Sequence, residues 1–341
     1  MGGILVVNAG STSLKLSVVG ADGQTTTLAS LNAAPADLDA VAHRIVHGGR
    51  RFREPVIVDD GVEQELSRLI ELAPLHMTPA VAALREARAH LVRVLHVAVF
   101  DTAFHATIPD EASTYALPHQ AREEWGIRRF GFHGLSVQWA SEQVRVERLI
   151  VCHLGGGCSV TAVRDGRSVD TTMGFTPLEG VPMTTRPGSV DPGALLYLLR
   201  HHLTLDELDR TLEHESGLRG LSGLSGDVRE LERSDDPAAR LALQVFAYRI
   251  ATAIGALAVP LGGLDALVFT AGIGEHSVAV RAWICSRLAF LGVELDRARN
   301  ERAEPDAEIA REGSAVRVIV LGAREDIIAA RAARALISRL G

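Results

Sequence analysis

Two stretches decide the fold: residues 4–19, ILVVNAGSTSLKLSVV, and residues 149–163, LIVCHLGGGCSVTAV. In each, an apolar run leads into small and polar residues, and a second apolar run follows. The first cluster is residues 8–13, between runs at 4–7 and 14–19; the second is residues 153–159, between runs at 149–152 and 160–163. Strand, polar turn, strand is a β-hairpin pattern. Gly10 aligns with Gly155, and Ser11 to Ser13 with Gly156 to Cys158. Two hairpins of one design, each opening half of the chain, predict an internally duplicated protein of two α/β domains.

Between and after the hairpins the pattern alternates. Helices are expected at 62–72, 79–90, 135–146, 192–202, 205–213, 238–257 and 325–340, and strands at 92–100, 265–270 and 316–321. Hairpins combined with helix-linked strands predict mixed sheets. No low-complexity linker separates the halves, so a cleft between closely apposed domains is expected. A length of 341 residues agrees, since one hydrophobic core seldom organises so long a chain.

Composition narrows the function classes. The formal net charge of −7 argues against a nucleic-acid-binding or membrane-surface protein, both of which need a field that attracts phosphate. Lys15 is the single lysine beside 34 arginines. The cysteines, Cys152, Cys158 and Cys285, are odd in number and form no CxxC pair, which predicts reduced thiols in a cytoplasmic protein. MGGILVVNAG at the start has no leader pattern, and the most apolar segment, residues 250–263, is too short to span a bilayer.

Three small-residue turns follow strands: residues 8–13, 155–159 and 271–275. Without Cβ atoms, such turns bring backbone N–H groups close to phosphate oxygens, and each is also compatible with a plain tight turn. None is a Walker A sequence, and Gly272-Ile273-Gly274 does not extend to GxGxxG because Ser277 stands in the last position. Several polar residues stand where a core would favour apolar ones: Arg44, Asp101, His133, Arg186 at the end of the aperiodic stretch 171–185, and Glu325 directly after a strand. Long aperiodic segments are often functional loops. Each also has a plain reading: surface arginines, a core histidine bonded to a carbonyl, or a favourable carboxylate at a helix start. His43 and His47 have HxxxH spacing, but on a strand they stand roughly 13 Å apart, which disfavours a zinc site. The cysteines read as packed thiols.

Together these segments resemble the acetate kinase family, within the acetate and sugar kinase, Hsp70 and actin superfamily. The matching runs, in order, are NAGSTSLK (8–15), HRIVHGG (43–49), LAPLH (72–76), FDTAFH (100–105), GFHG (131–134), HLGGGCS (153–159), DTTMGFTPLEG (170–180), Thr185-Arg186, FTAGIGE (269–275) and REDIIAAR (324–331). The resemblance implies two actin-like (ribonuclease H-like) domains. One is residues 1–146 with the terminal helix 328–341; the other, residues 147–327, binds nucleotide and mediates dimerisation. It implies reversible phosphoryl transfer between ATP and acetate, giving acetyl phosphate and ADP, with Mg2+, in a cytoplasmic homodimer. The run 238–261 is a candidate interface.

By the same resemblance, Arg44 and Arg186 look like guanidinium groups that hold the carboxylate and the moving phosphoryl, a task suited to bidentate forks. His133 looks like a hydrogen-bond donor to that phosphoryl, Asp101 like the acid that orients the arginine and metal arrangement, and Glu325, with Asn8, like the Mg2+-directed pair. Ser11, Ser13 and Lys15 would lie along the first phosphate hairpin, His153, Gly155 and Gly157 along the second, and Gly272, Ile273 and Gly274 near the nucleotide. Val46, Leu75, Phe132 and Pro177 match a small methyl pocket, with Val46 favouring acetate over propionate. The chain departs from the family pattern at Met77, Gly156, Thr184, Pro187, Ser189, His276 and Arg324, and is shortened mainly between Val19 and His43. Two alternatives remain: a propionate or butyrate kinase, and a non-catalytic nucleotide-binding clamp.

Overall fold

The computed structural model describes residues 2–10 and 14–339; Ser11 and Ser13 lie outside the described residues. The chain divides into two compact units. One comprises Met1–Ala106, Phe132–Trp139 and Arg324–Gly341, the other Thr107–Gly131 and Ala140–Ala323.

The first unit is built on strands β1 (Ile4–Ala9), β2 (Leu14–Val19), β3 (Thr25–Leu28), β4 (Ala40–Ile45), β5 (Val56–Ile57) and β6 (Leu95–Phe100), in the sheet order β3-β2-β1-β4-β6-β5. The second is built on β7 (Arg148–Leu154), β8 (Cys158–Arg164), β9 (Arg167–Thr171), β10 (Ala266–Thr270), β11 (Ala307–Glu308) and β12 (Arg317–Val320), in the order β9-β8-β7-β10-β12-β11. The pairings match strand for strand. β1–β4–β6 and β7–β10–β12 are parallel, and the flanking pairs are antiparallel. The duplication predicted from two hairpins therefore extends to whole six-stranded mixed sheets.

The parallel strands are buried nearly throughout, so they read as continuous apolar runs rather than alternating ones. Helices Pro74–His90 and Glu325–Ile337 pack on β1 and β4. In the second unit, helix Pro237–Leu261 packs on β7, β8 and β9. It is longer than its sequence pattern suggested: at 25 residues it is long and apolar enough to cross a membrane by length and composition, yet half of its most apolar window is buried inside the protein. Pro260 falls in its last turn.

Four other expectations are corrected. The second hairpin's strands extend inward, so His153 is a strand residue and the turn shrinks to Gly155–Gly157. Residues 271–275 form helix Ala271–His276 rather than a turn. The helix expected over 205–213 ends at Arg210 and passes into a π-helical turn, Thr211–Glu215. Residues 107–131 join the second unit, where Thr107 Oγ1 donates to Ser168 O (2.8 Å) and Arg129 Nη1 donates to the carbonyls of Thr171 (2.8 Å), Thr172 (2.9 Å) and Met173 (3.1 Å).

The two histidines with metal-like spacing are used otherwise. His96 Nε2 meets the Leu91 carbonyl (3.3 Å), so His96 Nδ1 accepts from His43 Nε2 (2.9 Å). His47 Nδ1 accepts from Gly49 N (2.9 Å). Burial, then His96 and Arg88, push His43 down to about 3. Folding thus favours neutral His43: its contribution is complete above the unfolded value of 6.5 and is lost as pH falls toward 3, at about 1.4 kcal/mol per pH unit at most. Urea unfolding at pH 7, 6 and 5 should show a smaller loss of stability in His43→Leu than in the unmodified protein.

Candidate active site

Sheet register assembles the first cluster. Lys15 on β2 lies opposite Asn8 on β1, and Asn8 lies opposite Arg44 on β4. Arg44 in turn pairs with Val99 on β6, two residues before Asp101, and neighbouring strands are only ~4.8 Å apart. Arg44 grips Asp101 with both prongs of its fork, Nε to Oδ1 at 3.0 Å and Nη2 to Oδ2 at 2.7 Å. Its Nη1 donates to Asn8 Oδ1 (3.1 Å) and lies 3.0 Å from Glu325 Oε2, on the first residue of helix Glu325–Ile337. Burial disfavours the Arg44 charge, but Asp101 and Glu325 outweigh it and raise the guanidinium pKa above its ordinary value. Asp101 is 1% exposed. Lys15 is exposed.

The same segment holds His133. Gly134 N donates to the Asp101 carbonyl (3.0 Å), and a Cβ at Gly134 would stand 2.0 Å from that oxygen, so only glycine fits. His133 itself has φ +60°, a left-handed conformation that costs a side-chain-bearing residue on the order of 1–3 kcal/mol. Phe132 is buried, edge-on to His47 at 5.3 Å between ring centroids. Val46 is buried and Leu75, in the first turn of helix Pro74–His90, is half-buried.

In the second unit, β7 and β10 run parallel, setting His153 beside Thr270 at the strand ends. Gly155 N donates to Gly157 O (3.1 Å), and Gly156 O accepts from Thr184 Oγ1 (3.0 Å) and Thr184 N (3.3 Å). A Cβ at Gly155 would touch that of Ala271 at 3.5 Å, so the hairpin tip and the start of helix Ala271–His276 adjoin. Ala271 has φ +64°. Gly274 packs tightly on Phe269, where a Cβ would lie 3.3 Å from the carbonyl carbon. Gly156 and Gly272 are different: both are exposed, and a Cβ on either would meet nothing within 4 Å. Their missing side chains leave open space beside backbone amides, a cradle that suits nucleotide phosphates. Ile273 stands half-buried between the two helix glycines.

Arg186 and Pro177 also meet. Arg186 Nη1 donates to the Pro177 carbonyl (3.3 Å) and contacts Met183 Sδ (3.7 Å), and its Nε lies 3.0 Å from Glu213 Oε2. Burial lowers the Arg186 pKa and raises that of Glu213, each opposed by the partner's charge.

The structure thus brings Asn8, Arg44, Asp101 and Glu325 into direct contact, ties His133 to them, and gathers His153, Gly155, Gly157 and Gly272–Gly274 at neighbouring strand ends. Glu213, Arg129 and Arg281 escaped the sequence reading. Glu213 is distant in sequence from Arg186 and carried no local signal. Arg129 adjoins the GFHG run; besides its three carbonyl bonds it donates to Glu179 (3.0 Å), which accepts from Tyr115. Arg281 is 0% exposed and donates to the carbonyls of Gly274 (3.0 Å) and Glu275 (2.8 Å), anchoring the glycine-bearing helix. An arginine within VAVRAWI was its available clue.

For a cation, no group of three or more His, Cys, Asp or Glu side chains occurs among the described residues. Asn8 and Glu325 instead present two oxygen donors at one point, Arg44 Nη1. Such a sparse oxygen set fits Mg2+, which keeps most of its water and takes the rest of its shell from phosphate. Asp101→Ala should cost about 3 kcal/mol in urea unfolding, because it removes the bidentate partner of the Arg44 charge and leaves Glu325 and Asn8 to hold one edge. Gly272→Ala should leave the unfolding curve unchanged while weakening nucleotide binding measured by calorimetry.

Comparison with known proteins bears on the family and the fold. The family model described as the acetokinase family matches residues 27–331. An acetate kinase of Nostoc punctiforme is 46% identical over 89% of this chain and 77% of its own length. One of Thermosynechococcus vestitus is 47% identical over 93% of this chain and 78% of its own. Among solved structures, a propionate kinase from Francisella tularensis superposes with a TM-score of 0.90 at 32% identity, covering 97% of this chain and 99% of that one. The acetate kinase of Porphyromonas gingivalis superposes at 0.87 with 31% identity, covering 99% and 100%. A family match over most of the chain, relatives of this identity and a shared fold across both sheets establish that the chain belongs to the acetokinase family.

Proposed function

We propose that the protein transfers the terminal phosphoryl group of ATP to acetate, reversibly, forming acetyl phosphate and ADP. The observation that carries this reading is the half-buried Arg44, paired with Asp101 and Glu325, with a strained His133 next to the Gly134 N–H that bonds the Asp101 carbonyl. Acetate is already ionised at neutral pH, so the reaction needs no base: a carboxylate oxygen attacks the phosphorus in line and ADP departs. What the site must supply is charge and orientation around a metaphosphate-like group. Arg44 and Arg186 are the guanidinium donors for it, and His133 donates a hydrogen bond to the same oxygens. Val46, Leu75 and Phe132, and Pro177 of the second unit, are assigned to recognition of the methyl group. Lys15 is assigned to the phosphates, as the sequence reading also assigns Ser11 and Ser13; His153, Gly155, Gly157, Gly272, Ile273 and Gly274 hold the nucleotide. Asn8 and Glu325 would hold Mg2+, which neutralises phosphate charge when bound.

Propionate is the second reading, favoured by the likeness to the Francisella propionate kinase. One methylene changes selectivity by only about 1–3 kcal/mol, so both acids should react, acetate faster. Incubation with ATP, Mg2+ and either acid, trapping acyl phosphate with hydroxylamine, tests both readings. A higher kcat/KM for propionate would reverse the substrate assignment, and no product from folded protein would favour the non-catalytic clamp. Arg186→Ala should lower kcat by roughly three orders of magnitude; a loss below tenfold would remove Arg186 from the reaction.

The reading extends to a cytoplasmic homodimer. Three buried free thiols suit a reducing compartment. For the interface, helix Pro192–His201 is the better candidate than residues 238–261: it buries none of its residues and exposes Leu196, Tyr197 and Leu199, whereas Pro237–Leu261 turns much of its apolar surface inward. Light scattering should give a dimer that Tyr197→Glu with Leu196→Arg converts to monomer; a monomer before substitution would refute the assignment.

A further inference from the structure

His105 takes no part in the reaction as described, yet it is 2% exposed and its Nε2 lies 2.9 Å from the Phe132 carbonyl oxygen. A carbonyl only accepts, so His105 donates through Nε2–H. That carbonyl and the His133 N–H belong to one peptide plane, and the bond therefore fixes the rotation that sets φ of His133. On the other side of His133, Gly134 N donates to the Asp101 carbonyl at 3.0 Å and fixes the next plane. His105 and Asp101 stand on one short turn, closed by the His105 N to Thr102 O bond (3.2 Å). Residues 101–105 thus form a bracket that grips Arg44 with one side chain and both peptide planes of His133 with its other polar groups.

We propose that His105 is a positioning residue, whose bond to the Phe132 carbonyl holds His133 in the left-handed conformation that directs its imidazole toward the transferring phosphoryl group. The proposal rests on the role of His133 given above. A side chain with φ +60° needs outside restraint, since released peptide planes relax to the extended or right-handed regions. Burial supports the arrangement by pushing His105 down to about 4, so one ring nitrogen carries one proton throughout the neutral range and the donor is constant.

The test compares His105→Leu, which keeps bulk and loses the donor, with His105→Gln, whose amide N–H reaches the place of Nε2. Hydroxylamine-trapped rates give kcat and the KM for acetate and ATP, circular dichroism reports folding, and His133→Ala is run alongside. His105→Leu should lower kcat on the order of thirtyfold, as a misplaced group does, with both KM values within about threefold. His105→Gln should recover most of that loss. Should His105→Leu fail to fold, His105→Gln is compared with His105→Asn, whose shorter amide cannot reach the carbonyl. Equal kcat in donor and non-donor variants, with His133→Ala strongly impaired, would overturn the positioning role. An unimpaired His133→Ala would instead overturn the role of His133, and the proposal with it.

Discussion

Arg44 carries a full charge into a sheet whose neighbouring strands are apolar, and the first unit is organised around tolerating it. An unpaired guanidinium drawn this far out of water would be costly, so Asp101 meets it through a bidentate fork and Glu325 and Asn8 share its remaining edge. Those partners come from three places in the chain: the first strand, the residue after β6, and the start of the terminal helix. The terminal helix must therefore return to the first unit, and Asp101 must stand where its carbonyl also receives Gly134 N. Fixing one charge fixes Asn8, Asp101 and Glu325 and, through the Asp101 carbonyl, the backbone that follows His133.

The duplicated sheets show how one hairpin serves two purposes. In the first unit its strands present Asn8 and Lys15, side chains that reach toward charge. In the second its tip is Gly155 to Gly157, with nothing projecting from Gly156. Gly156 is structurally neutral, since the open space there accepts a side chain or its absence. His276, exposed at the end of its helix, likewise disturbs nothing within the fold.

Among the described residues, apart from Asp165 in the β8–β9 turn, the non-glycine residues with positive φ are His133 and Ala271, one in each candidate cluster. Strain at such points persists only where surroundings over-determine it. His105 and Asp101 provide that around His133. Around the segment that follows Ala271, buried Arg281 holds the carbonyls of Gly274 and Glu275. The aperiodic segment 171–186 is ordered by the same means: Arg129 on its backbone, Glu179 against Arg129 and Tyr115, and Glu213 against Arg186.

From the sequence alone came the hairpin duplication, the α/β class, the family, and residues that the first unit gathers, Asn8, Arg44, Asp101, His133 and Glu325, as well as Arg186 in the second. These were legible because turn chemistry and apolar runs are local, and because a charged residue inside an apolar run betrays a purpose. The strand-for-strand equivalence of the two sheets was not legible, since β3, β5, β9 and β11 are short, exposed or polar and owe their existence to the edges they pair with. Nor was the conversion of residues 271–275 from turn to helix, because Arg281, from further along the chain, ties down its final carbonyls. Glu213, Arg129 and His105 acquire meaning only through partners remote in sequence. Local periodicity records which face a residue buries; only tertiary structure decides which distant polar atom it must satisfy once buried, because desolvation makes an unpaired donor or charge costly wherever the chain happens to bring it.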